Sequence, residues 1–114
     1  MTLSVSAYVI GADGSASEIR LTSDLVGVEA ARHDFYGSDS SLQLGLKLLP
    51  QLRDVAVLEV RGDKLPQLLS EVATLLEALP PGAEGEYWRF RLNNIKAAAE
   101  LALMHGSAGC VRIG

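Results

Sequence analysis

The chain has 114 residues, 48% hydrophobic and 21% charged, with a net charge of −4 and one cysteine, Cys110. That length suits one domain, and the composition lets it bury a core without a disulfide or a structural metal. The lone cysteine excludes an intrachain disulfide and a cysteine-rich zinc site, and the acidic balance argues against nucleic acid as a partner.

In chain order, Leu3, Val5, Ala7 and Val9 alternate with the residues between them, which predicts a strand over 3–10. Gly11-Ala12-Asp13-Gly14 supplies turn formers, and a second strand near Glu18–Thr22 completes a hairpin. Residues 32–41 read as a polar loop carrying Phe35 and Tyr36. The stretch 42–49 fits two patterns: Leu42, Leu44, Leu46 and Leu48 alternate, while Leu42, Leu46, Leu49 and Leu52 share a helical stripe. Leucine's helix preference and the N-cap side chains of Asp39-Ser40-Ser41 favour a helix ending by Pro50. A strand follows over Asp54–Arg61.

Leu65, Leu68, Leu69, Val72, Leu75, Leu76 and Leu79 keep helical spacing, with Pro66 in the first turn and Pro80-Pro81-Gly82 as the stop. A last helix, Glu86–His105, buries Trp88, Leu92, Ile95, Ala99 and Ala102, and Gly106 suits its left-handed C-terminal position. Gly109–Ile113 closes the chain as a short strand. The expected fold is a single α+β domain over residues 1–114, in the order β-β-α-β-α-α-β. Its sheet is antiparallel or mixed, with helices packed on one face.

The common catalytic signatures are missing. Gly11–Gly14 lies between two strands, so no helix N-terminus follows to face a phosphate. Gly106-Ser107-Ala108-Gly109 has the wrong spacing and the wrong element order for a nucleophile elbow. Cys110, in an apolar strand, reads as a small buried hydrophobe rather than the partner of His105. His33 and His105 lie too far apart for zinc spacing, and Asp24, Asp34 and Asp39 do not match a calcium loop. No catalytic residue, metal or cofactor is assigned. The N-terminus lacks the basic start and apolar run of a signal peptide, and no stretch approaches the ~20 apolar residues of a membrane span. A cytoplasmic protein without a membrane partner is therefore expected.

Charge is unevenly spread. Asp24, Glu29, Asp34 and Asp39 face a single base, Arg32, whereas Arg89, Arg91 and Lys96 occupy a stretch without an acid. Arg89, Asn93, Lys96 and Glu100 share one helical stripe, the pattern of a solvated face or of a docking surface. The preferred reading is a non-catalytic protein-binding module of inhibitor, immunity or regulatory type. It would meet a protein partner, a basic one on grounds of charge, through Asp34, Tyr36 and Asp39, through Arg89, Asn93 and Lys96, or through both. A homodimer that covers a sheet edge is a related option. The alternative is a small enzyme or ligand-binding protein with His33 as acid–base residue, Asp34 or Asp39 orienting it and Tyr36 donating to substrate.

Overall fold

The computed structural model describes residues 2–114. Thr2–Ile10 forms β1, whose alternation turns Leu3, Val5 and Ala7 into the core and Ser4, Ser6 and Tyr8 to the opposite face. Strand β2, Ala16–Ile19, pairs with the second half of β1 and β3, Leu25–Val28, with the first half. On the other side of β1 lies β5, Gly109–Ile113, followed by β4, Leu58–Arg61. All these pairings are antiparallel, and the sheet order is β2-β1-β5-β4 with β3 beside β1.

Leu58 and Val60 of β4 and Val111 and Ile113 of β5 are buried on the same face as Leu3 and Val5. The helices cover that face. Helix α3, Ala83–Leu103, packs on β1 and β5 with Leu92, Ile95, Ala99 and Ala102 buried. Helix α2, Leu65–Glu77, packs on α3 through a stripe that includes Leu68, Val72 and Leu75. Full burial of each such leucine, isoleucine or valine side chain is worth ~1.5–3 kcal/mol. On the bare face Arg112 pairs with Glu59 at 2.9 Å and lies 4.7 Å from the Tyr8 ring. Cys110 is buried on that face, and its burial pushes the thiol pKa up.

One polar residue organises the core. Glu71 of α2 is 6% exposed, and its carboxylate accepts the backbone N–H groups of Lys47, Leu48 and Leu49 at 2.9–3.0 Å. Leu48 and Leu49 open the 3-10 helix Leu49–Arg53, whose first N–H groups have no partner within the helix, so Glu71 of α2 supplies the acceptors. The leucines of this segment then face inward: Leu46 and Leu49 are buried, and Leu52 follows in the same short helix.

The architecture is the α+β sheet with helices on one face that the sequence predicts, with local differences. Strand β3 is additional, giving β-β-β-α-β-α-α-β. The helix expected over 42–49 instead occupies Asp39–Gln43 as α1, capped by Ser38, whose hydroxyl accepts the Ser41 N–H. It ends at Leu44 because Gly45 takes φ +84°, a conformation glycine adopts without strain. Leu42 and Leu44 are consequently exposed. The strand expected from Asp54 begins only at Leu58, with Val55 and Val57 exposed. The second strand starts earlier than expected, directly after a turn in which Asp13 accepts both the Ser15 hydroxyl and N–H. Those bonds, the hydroxyl's first, hold the Asp13 carboxyl below its usual pKa.

Candidate functional site

The segment singled out in the sequence is no open loop. Residues Arg32–Tyr36 form one π-helical turn, closed by the Gly37 N–H on Arg32 O at 2.9 Å. Only glycine fits at 37, since a Cβ there would stand 2.5 Å from Arg32 O and 2.7 Å from Arg53 Cβ. The Arg32 guanidinium donates to Leu52 O, Val55 O and Ala56 O at 3.1, 2.7 and 3.0 Å and also pairs with Glu29. The single base of the acidic stretch is thus turned onto carbonyls, leaving Asp34 and Asp39 exposed without a salt-bridge partner among the described residues.

The π turn aims its two aromatics inward. Tyr36 is fully buried, and its hydroxyl donates to Val26 O at 2.6 Å. Burial pushes its phenol far above the usual range. Phe35 stacks on Trp88 of α3, with 3.7 Å between ring centroids and 3° between planes, and Tyr36 meets both rings edge-on.

Beside this stack lies a crevice of about 230 Å³. Asp34, Phe35 and Leu44 line it from the π turn and α1, while Leu79, Glu84 and Trp88 line it from the end of α2 and the start of α3. Two carboxylates therefore share an aromatic and aliphatic depression, and no lining residue is basic. Glu84, like Asp34, has no salt-bridge partner among the described residues. A low-dielectric wall beside uncompensated negative charge focuses the field on whatever enters.

A larger depression of about 620 Å³ opens between β1 and the β2–β3 connection. It carries both signs of charge, from Glu18, Arg20 and Asp24, and no aromatic side chain lines it. Its size alone does not make it the better site, because nothing in its lining selects one chemistry.

The remaining expected site residues are dispersed. Asp39 is exposed in the first turn of α1 and does not line the crevice. Tyr36 lies in the core, not on a contact surface. His33 is exposed and lines neither depression, so the convergence that an acid–base role requires is not formed. Arg89, Asn93 and Lys96 are exposed along α3 as their spacing predicts, with Arg89 paired to Glu86 at 3.4 Å. Arg91 lies 3.4 Å from the Tyr87 ring, and Asn94 ties α3 to Leu25 O at 2.8 Å. Among the described residues no three His, Cys, Asp or Glu side chains group as metal ligands, and no helix is long and apolar enough to cross a membrane.

No protein-family model, curated protein or solved structure matches the chain. The site therefore stands on its own geometry. Glu84, Trp88 and the apolar wall of Leu44 and Leu79 are not among the site residues expected from sequence. The available signal was Pro80-Pro81-Gly82, a forced break that holds the two long helices together as a hairpin and leaves Glu84 at its mouth.

Proposed function

We propose that this chain is a non-catalytic protein-binding module that meets a basic protein partner through the crevice between the π turn and the α2–α3 junction. The observation that carries the reading is the pairing of an aromatic wall, Phe35 and Trp88, with two carboxylates, Asp34 and Glu84, that have no salt-bridge partner among the described residues. Exposed Asp39 extends the negative surface toward the rim. Uncompensated charge of this kind favours fast encounter with a basic partner and rejects acidic ones. The same complementarity would suit an inhibitory or immunity-type role, since covering a basic active surface blocks it.

The test is capture of a partner from the native lysate at low and high salt, comparing the unaltered chain with an Asp34→Lys/Glu84→Lys variant. Exposed charges contribute little to folding, so the variant keeps its structure. The reading expects stoichiometric capture, release by salt, and a loss of at least about tenfold in the variant. Capture unchanged in that variant but abolished in Arg89→Glu/Lys96→Glu would move the contact surface to the α3 stripe.

A further inference from the structure

The crevice also limits what it can receive. Its volume of about 230 Å³ falls below the roughly 300–1,000 Å³ of pockets that enclose a small-molecule ligand or cofactor. It is large enough for one inserted side chain. Its lining asks for a group that is cationic, to answer Asp34 and Glu84, and weakly hydrated, to lie beside the Phe35–Trp88 stack, whose facing ring surfaces cover each other. Lysine meets the first demand only, because its ammonium is compact and strongly hydrated. Arginine meets both, since its planar guanidinium is weakly hydrated and packs against aromatic rings while its five donors reach carboxylates.

We propose that the crevice receives an arginine side chain of the protein partner, a proposal that rests on the binding reading above. The guanidinium lies against the outer side of the Phe35–Trp88 stack and donates to Asp34 and Glu84, and its methylene stem lies along Leu44 and Leu79. The surrounding contact is a rim around this one anchor, the arrangement in which a buried arginine dominates a protein interface.

Trp88 is the only tryptophan in the chain, so its fluorescence reports occupancy of the crevice directly. Three probes suffice: acetyl-Gly-Arg-Gly-amide, its lysine counterpart, and its citrulline counterpart, which keeps the shape and removes the charge. The proposal expects a saturable change in Trp88 emission with the arginine peptide in the millimolar range. Lysine should bind about tenfold more weakly, and citrulline should be silent. Asp34→Asn and Glu84→Gln should each weaken the arginine response while leaving the circular dichroism spectrum unchanged. No response to arginine, or equal responses to arginine and lysine, overturns the assignment. If partner capture then still depends on Asp34 and Glu84, the binding reading stands and only the arginine anchor falls. If capture is independent of both residues, the binding reading falls as well.

Discussion

The ring of Phe35 lies flat on the indole of Trp88, 3.7 Å apart, and so ties the π turn to the first third of α3. This contact forms one wall of the crevice and holds its two sides in register. Trp88→Ala should cost about 3 kcal/mol, near the lower end for removing a large aromatic, because Trp88 is only partly buried. Trp88→Phe should recover most of it by keeping a ring in the stack. Urea unfolding of both variants checks this; equal losses would mean that the stack contributes nothing of its own.

Glu71 accepts three consecutive backbone N–H groups, from Lys47 to Leu49. Removing the acceptor strands buried donors, so Glu71→Ala should cost about 3 kcal/mol or more, with Glu71→Gln intermediate. Amide exchange at Leu48 and Leu49 should rise selectively in both variants. Slow exchange retained at those amides would show that the segment is held by other contacts.

The Tyr36 phenol gives the fold an alkaline limit. Its pKa is raised above the ordinary 10.0 by burial, so above that pH the unfolded chain loses a proton that the folded chain retains. The contribution is full below the unfolded value and is lost as pH rises through it toward the folded one. Tyr36→Phe should cost about 1 kcal/mol at neutral pH through the lost bond to Val26 O, yet flatten the loss of stability above pH 10. Unfolding midpoints measured from pH 8 to 11 distinguish the two effects; an unchanged alkaline slope contradicts the assignment.

Cys110 should resist alkylation in the folded protein. It is fully buried, and burial, followed by the Glu59 carboxylate, raises its thiol pKa, so little thiolate is present at neutral pH. Labelling with iodoacetamide should be slow in buffer and prompt in concentrated urea. Equal rates would place the thiol at the surface.

What the sequence made legible was what repeats with a clear period. Alternation in β1 and the leucine spacing of α2 need no tertiary information, and both stand as expected. Strand β3 escaped because Leu25-Val26-Gly27-Val28 is short and interrupted by glycine, and it gains its partner only from the far end of β1. The leucine run of 42–49 carried two periods at once. Gly45 and the distant carboxylate of Glu71 resolve it, the first by ending α1 and the second by capping the start of the 3-10 helix beyond. In the candidate site, Asp34 and Phe35 lie in the expected segment, but Tyr36 points into the core rather than to the contact surface. A π turn places successive side chains differently from a loop, and no propensity marks it. Glu84 belongs to the site only because the α2–α3 hairpin brings it there, which is a long-range fact.

Amide hydrogen exchange on the chain alone and in complex with its captured partner tests whether the crevice is the contact surface. Added protection is expected over residues 34–44 and 79–88, the two sides of the crevice, with little change on the bare sheet face around Glu59 and Arg112. Protection confined to that sheet face, or to Arg89–Lys96 with the crevice unchanged, would contradict the crevice as the contact surface.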